Sequence, residues 1–384
     1  MAAHGGSDPP GPGGARAGGR RASRASRGAP HAAGPQRRPA RRPHGRSRGH
    51  PVSVPRGWAH LLRSGAREVP GLDRPHASVS PAGGRLPWSV RIAQLARALP
   101  EAPGRDRVIA ALLRRGLSDA TYAGTFGGGL RFEGNPARDT NVRVLLVLRF
   151  SRPALAPLLD AALRPGDAFA DVGANLGLYT LWGARCVGPT GRVLAFEPVP
   201  ETRARLERNV SLNGFVQVEV VPEGVGAARE CVTLYRNPDA SGVASRYVEA
   251  PGPAIEVAVT TLDAACAARA IRPRLVKIDV EGMELEVLRG SRSLLDHEDP
   301  PAIVLEAHAP HLEAAGTSYV EIRAFLAAHR YEIWSLLPGG ARREPPDAVR
   351  PGSLNVLAVR SGHAGHRALL ERLEGTRFPR NMNA

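Results

Sequence analysis

Residues 168–180 read AFADVGANLGLYT, and this stretch decides the fold. Its first five residues are a short apolar run of strand type that carries one acid, Asp171. Gly173 and Gly177 then let a turn come close to a ligand, and the helix that follows presents its N-terminus to the same place. The spacing is G-x-x-x-G, not the G-x-G-x-x-G of dinucleotide binders, whose second glycine makes room for a pyrophosphate. Tight packing of strand on helix would use the same glycines, so the turn alone does not identify a ligand.

Outward from the turn, strands and helices alternate. Residues 192–196 read as the next strand and 200–212 as the next helix, stopped by Asn213-Gly214. Residues 216–221 form a third strand, and 225–235 and 255–259 a local pair of extra strands. Residues 262–270 are helical, 275–280 a strand, and 284–295 a helix with Leu285, Leu288 and Leu295 inward. A strand at 302–305, a helix at 319–329 and strands at 332–336 and 354–359 complete the series. On the amino side, 107–117 and 153–163 read as helices, and 130–132 and 142–150 as strands. The pattern implies an α/β fold with a Rossmann-like, mostly parallel sheet and helices on both faces. Ligands then belong at the carboxyl ends of the strands, near the point where strand order reverses.

Two further segments carry chemistry at that edge. Phe196-Glu197-Pro198 closes the second strand, 24 residues after Gly173. A carboxylate there can accept both hydroxyls of a ribose lying over the first turn. A solvated strand end is the bland alternative. Residues 277–284, KIDVEGME, end the fourth core strand, and strand period puts Lys277, Asp279 and Glu281 on one face. Of 52 basic residues, Lys277 is the one lysine. A compact ammonium can sit between two carboxylates and shift their pKa values, which a planar guanidinium does less readily. The face is either catalytic or a structural ion pair closing the strand end. Glu306, His308 and His311 follow the fifth strand. Two histidines at i, i+3 in a loop broken by Pro310 are weak metal geometry, so no metal is expected, although these groups can line an acceptor pocket.

DVGANLGLYT at 171–180, VLAFEPVPETRARLERNVSLNG at 193–214, TLD at 261–263, KIDVEGMELEVLRG at 277–290 and AIVLE at 302–306 resemble, in order and spacing, the FkbM family of S-adenosylmethionine-dependent methyltransferases. The resemblance runs through about residues 164–305, and the KIDVEG block is its most specific part. It implies a class I methyltransferase fold, S-adenosyl-L-methionine as cofactor, and O-methylation of hydroxyls on polyketide macrolides or sugars. Carried over by position, Asp171, Gly173, Asn175 and Gly177 would cradle the methionine part of the cofactor. Glu197 would hold the ribose, and Glu223 or its neighbours would lie near the adenine. The family tends to carry an aromatic-Glu-Pro just before the core, where this chain has Phe150-Ser151-Arg152-Pro153.

A chain of 384 residues with 42% hydrophobic and 23% charged residues has room for a full core. It holds no apolar run near the ~18 residues of a membrane span, and no short apolar block follows its first positive charges. Neither a span nor a secretory signal is expected, and three widely spaced cysteines suit a reducing cytoplasm. Residues 1–85 contain 16 Arg against 3 acidic residues, with 16 Gly and 12 Pro. Such a segment cannot bury enough apolar surface to order itself, so a disordered basic tail is expected. It lacks interleaved aromatics up to Val54, so a nucleic-acid partner is not. The expected divisions are this tail, an extension over 86–165, a methyltransferase domain over 166–361 and a tail over 362–384.

The function that follows is methyl transfer to a hydroxyl of a small or medium-sized metabolite, with Asp279 as the first choice of base and Glu281 and His308 behind it. A nicotinamide-dependent oxidoreductase is the enzyme alternative, disfavoured by the missing third glycine. A nucleic-acid-binding protein working through the tail is the other. A P-loop is excluded because the one lysine precedes Ile278, and no G-x-S-x-G elbow occurs.

Overall fold

A computed structural model describes residues 119–139, 152–236, 244–247, 254–349, 351 and 354–378, with residues 79–81, 88, 91, 92, 95, 112, 113, 142 and 143. The opening stretch forms β4 (Ala168–Val172) and α2 (Leu178–Val187), preceded by β1 (Val79–Pro81), β2 (Tyr122–Phe126), β3 (Leu130–Gly134) and α1 (Ala156–Ala162). Then come β5 (Arg192–Phe196), α3 (Pro200–Leu212), β6 (Val218–Val221), β7 (Gly224–Val225), β8 (Glu230–Arg236), β9 (Ala244–Ser245) and β10 (Ala254–Thr260). Next are α4 (Leu262–Ala268), β11 (Leu275–Ile278), α5 (Glu284–Arg289), α6 (Arg292–Asp296) and β12 (Ala302–Glu306). The chain finishes with α7 (Ala309–Ala314), α8 (Tyr319–Ala328), β13 (Tyr331–Leu337), β14 (Gly340–Arg343), β15 (Asn355–Arg360) and α9 (Ala364–Leu373).

Eight strands make the main sheet in the order β14-β13-β15-β12-β11-β4-β5-β6. Strands β12, β11, β4, β5 and β6 run parallel, and β15 is inserted antiparallel beside β12. Strand order reverses at β4, which opens the crevice expected of such sheets at its carboxyl end. Parallel strands are covered on both faces, which is why β4 and β11 are nearly continuous apolar runs. Phe169 points to one face with Leu181, Trp182 and Val193, while Ala170 and Val172 point to the other with Leu194, Leu285 and Leu288. Truncating a fully buried side chain such as Phe169 to alanine would cost about 3–5 kcal/mol.

The β2–β3 hairpin is fastened to α3 by Asn209 within that helix and Asn213 at its C-cap. Asn209 accepts from the Glu133 amide at 2.8 Å and donates to the Glu133 and Leu176 carbonyls at 3.0 and 2.9 Å. Asn213 accepts from the Arg131 amide at 2.8 Å and donates to its carbonyl at 2.7 Å. Phe126 stacks on Trp182 with ring centroids 6.2 Å apart. A smaller sheet, β7-β10-β8-β9, follows β6, with β10 antiparallel to β8 as the expected local pair.

Several elements differ from expectation. The helix expected over 284–295 is two, α5 and α6, broken at Gly290 where a Cβ would overlap the Gly226 carbonyl. Asp263 of the TLD segment caps the second piece, accepting from the Ser293 and Leu294 amides at 2.8 and 3.0 Å. The loop around Pro310 is instead the short helix α7, with proline in its first turn, where its missing N–H costs nothing. The expected carboxyl tail contains α9, whose Leu369 and Leu373 are buried and whose Arg372 donates to the Ala161 carbonyl at 2.8 Å. Strand β1, within the expected amino tail, pairs with β2, and β2 and β14 carry no strong alternation in sequence. Val142 and Arg143 are helical rather than strand. Residues 1–78, 144–150 and most of 107–117 lie outside the described residues. Among the described residues no helix is long and apolar enough to cross a membrane.

Candidate active site

The site is built at the carboxyl edge of β4, β5, β11 and β12. After β4 the chain turns through Gly173 and Asn175, both left-handed, with φ of 77° and 51°. Asparagine tolerates that conformation better than most residues. At Gly173 a Cβ would overlap the Asp279 carbonyl, so this glycine is required by packing of the turn on the loop after β11. Glu197, at the end of β5, holds the turn by accepting from the Asn175 amide at 3.0 Å and the Val199 amide at 2.9 Å. Burial outweighs these bonds and pushes the Glu197 carboxyl up to about 7.

Lys277 lies below the turn, 4% exposed. Its ammonium is 3.3 Å from Asp171 Oδ1 and 3.2 Å from Asp279 Oδ2, and it donates to the Gly173 carbonyl at 3.0 Å. Thr180 Oγ1 donates to Asp171 Oδ2 at 2.6 Å, and the ring of Tyr179 lies 5.4 Å from the ammonium. Burial opposes the lysine charge, but Asp279 and Asp171 more than offset it and hold the group above its ordinary value. In return, although burial pushes Asp279 up, Lys277 and hydrogen bonds to its carboxylate hold it below the usual range.

Five acidic and histidine groups lie around this pair. Register between β11 and β12 sets Asp279 beside Glu306, and the two are hydrogen bonded. Burial and the Asp279 charge raise Glu306 well above an ordinary carboxyl, so it carries the shared proton and donates to Asp279. Glu281 has a left-handed φ of 54° and its Oε2 lies 2.6 Å from His311 Nδ1. Glu284 accepts from the Val280 and Gly282 amides, both at 3.2 Å, and burial pushes it up to about 7. The His308 and His311 rings are 4.2 Å apart, edge to face.

Of the residues singled out in the sequence, Asp171, Gly173, Asn175, Glu197, Lys277 and Asp279 converge through direct contacts. Gly177 caps α2 at its N-terminus with φ of 91°. Glu223 is half-buried beyond the end of β6. Glu281 does not share the face of Lys277 and Asp279: the strand ends at Ile278, and the loop turns Glu281 toward His311. Glu306, named with His308 and His311 as a group that can line the acceptor pocket, lies against Asp279, whereas Tyr179, Thr180 and Glu284 were not among the candidate residues. Their only sequence signal is proximity to strand ends. A polar cleft of about 350 Å³ lies at the opposite, amino edge of the sheet, beside Arg192, Arg272 and Arg274, away from this chemistry.

The residues present fit S-adenosylmethionine. The Asn175 side-chain oxygen is buried in the turn without a hydrogen-bond partner, and Glu197 is a buried carboxyl with one amide donor on each oxygen and lone pairs to spare. A ligand bringing an ammonium and ribose hydroxyls would satisfy both.

Residues 171–333 match the Methyltransferase FkbM domain. Methyltransferase 1 of Beauveria bassiana is 29% identical over 153 residues, 34% of this chain and 61% of that protein. Hexuronic acid methyltransferase AglP of Haloferax volcanii is 28% identical over 165 residues, 42% of this chain and 64% of that protein. The chain therefore spans about three fifths of the length of these curated relatives. A methyltransferase FkbM structure from Methylobacillus flagellatus KT is similar at 16% identity and a TM-score of 0.31, over 71% of this chain and 58% of that one. Over residues 171–333, less than half of its length, the chain is thus similar to the methyltransferase FkbM domain.

Proposed function

We propose that the protein is an S-adenosylmethionine-dependent methyltransferase that methylates a hydroxyl oxygen of a small or medium-sized metabolite of sugar or polyketide type. The observation that carries this reading is the joining of the glycine turn to Glu197 on one side and to the Lys277–Asp279 pair on the other, at the switch point of the sheet. In this reading Asp171, Gly173, Asn175 and Gly177 hold the methionine portion of the cofactor, Glu197 the ribose, and Glu223 lies toward the adenine. S-adenosylmethionine supplies an electrophilic methyl group when bound. The chain's own work is alignment and proton management, since an in-line transfer needs acceptor and donor within about 3–3.5 Å.

Lys277 fixes Asp279, and the Glu306 proton covers its second side. Asp279 is therefore best suited to accept a hydrogen bond from the acceptor and orient it. A carboxylate held this far down is a weaker proton acceptor than the sequence alone suggests. His308 and Glu281 border the same acceptor space. A carbohydrate acceptor draws support from the hexuronic acid named for the Haloferax relative.

Native mass spectrometry of the purified chain tests the cofactor, with co-purified S-adenosylmethionine or S-adenosylhomocysteine expected. Incubation with methyl-labelled cofactor and a series of sugar and macrolide alcohols tests the acceptor. Tight NADH binding with no response to S-adenosylhomocysteine would overturn the reading.

A further inference from the structure

We infer that Glu281 and His311 form an acid–base dyad in which Nε2 of His311 takes the proton from the acceptor hydroxyl, an assignment that rests on the hydroxyl-methylation reading above. Glu281 Oε2 is 2.6 Å from His311 Nδ1, a close charge contact between two buried atoms that have no regular hydrogen-bond partner, and the carboxylate favours a ring that keeps its proton on Nδ1. The remaining lone pair of the ring is then on Nε2.

The backbone holds this pair in place. Glu281 is one of four described non-glycine residues with positive φ, and a glutamate gains nothing intrinsic from that conformation. Gly282 follows at φ 106°, where a Cβ would meet the His311 carbonyl oxygen at 2.6 Å. The loop after β11 is thus pressed onto α7, and the strain sits at the residue that reaches the imidazole. The same loop begins at Asp279, whose carbonyl backs Gly173, so the dyad adjoins the cofactor turn.

The neighbouring groups are poorer bases. Asp279 is committed to Lys277 and Glu306, Glu306 already holds a proton, and Glu284 Oε1 accepts two backbone amides. Facing His311 are Glu281, Glu284 and Asp279 from the β11–α5 segment and His308 from the start of α7. The close contact with Glu281, with the added negative charge of Glu284 and Asp279, outweighs burial and raises His311 above its ordinary value. His308 moves the other way through burial and the proximity of His311, and its Nδ1 is buried without a partner.

In the step itself, the acceptor O–H bond breaks and its proton passes to Nε2. The freed pair on oxygen forms the new O–CH3 bond while the C–S bond of the sulfonium breaks, leaving that pair on sulfur. Glu281 balances the imidazolium, which later returns its proton to water.

The test uses the full chain labelled with 15N-histidine, with S-adenosylhomocysteine as probe. His311 should show a protonated Nδ1, a titration above that of an ordinary histidine, and shifted ring resonances when the probe binds. Glu281→Gln should lower that titration point. His311→Gln should bind S-adenosylhomocysteine within a few-fold of the parent and lose roughly 10²–10⁴ in single-turnover transfer to a sugar or macrolide alcohol that the parent methylates. If His311→Gln does not fold, Glu281→Gln carries the kinetic arm: its acid limb should move to lower pH together with a drop in rate. A His311 that titrates normally, ignores Glu281→Gln or ignores the probe overturns the dyad. So does a destabilised His311→Gln chain with an unchanged rate and pH profile. Failure of the parent to methylate any alcohol, with these ring signatures intact, overturns the hydroxyl reading and leaves the pairing itself standing.

Discussion

Lys277 Nζ lies 3.2 Å from Asp279 Oδ2, with the lysine side chain 5% and the aspartate side chain 35% exposed. The buried end of this pair also faces Asp171, so removing the ammonium leaves two carboxylates facing each other in a poorly solvated place. Lys277→Met should destabilise the fold by about 3–5 kcal/mol, as expected when one partner of a buried pair is lost. Lys277→Arg should be costly too, because the planar group cannot occupy a space bounded by two carboxylates and the Gly173 carbonyl. Thermal unfolding of both variants checks this, and a parent-like Lys277→Arg would show that charge alone matters.

Glu197 ties the cofactor turn together as well as facing the ribose. Glu197→Ala should weaken S-adenosylhomocysteine binding over a hundredfold, on the order of 3 kcal/mol for two charge-assisted hydrogen bonds. It should also lower the melting temperature, because the Asn175 and Val199 amides lose their acceptor.

Adenosine isolates the charge of the same group, because its ribose hydroxyls do not titrate near neutrality. The Glu197 carboxyl stands at about 7 in the free protein, and only its ionised form accepts from both hydroxyls. Adenosine affinity should therefore rise between pH 6 and 8, with proton release on binding. Calorimetry in buffers of different ionisation heat measures this release, and Glu197→Gln should abolish it.

Glu284 stands at about 7 in the fold against an ordinary value of 4.5. The folded chain then holds a proton that the unfolded chain has lost, so raising pH through this window costs stability. The loss should be roughly 1 kcal/mol between pH 6.5 and 8 for each such carboxyl, with Glu197 acting in the same direction. His366, pushed down to about 4 by burial, acts oppositely, but only below its ordinary value of 6.5. Glu284→Gln should flatten the melting-temperature profile over pH 6.5–8, and an unchanged slope would place the titration in the other raised groups, Glu197, Glu306 and His311.

Removal of residues 1–75 should leave melting temperature and turnover unchanged, since the segment has the composition of a tail. Removal of residues 1–85 should lower stability, because it deletes the strand Val79–Pro81 that pairs with Tyr122–Phe126. Scanning calorimetry of the two truncated chains separates these outcomes.

The parallel strands were legible because burial on both faces writes them as short apolar runs between glycine turns, as at Ala168–Val172 and Leu275–Ile278. Glu197 and Lys277 were legible because their positions follow from where those strands stop. The hairpin strand Tyr122–Phe126 was not, since its residues alternate weakly and its anchors, Asn209 and Asn213, read locally as the end of a helix. The pairing of Glu281 with His311 was hidden for a different reason. It depends on a left-handed residue just past the strand end, where strand period no longer says which way a side chain points. Glu306 could be placed at a strand end, but its proton depends on Asp279 across the ladder.

With its one lysine enclosed, the protein offers reagents no surface amine apart from the chain's amino terminus. Every other basic side chain that is not histidine is a guanidinium, so the surface positive charge stays constant far into alkaline conditions. Acylating reagents need a neutral amine, and Lys277 is held both buried and more firmly protonated than a free lysine. Modification at this position, followed by mass spectrometry, would therefore count openings of the fold around the cofactor turn, with no competing lysine elsewhere to blur the signal.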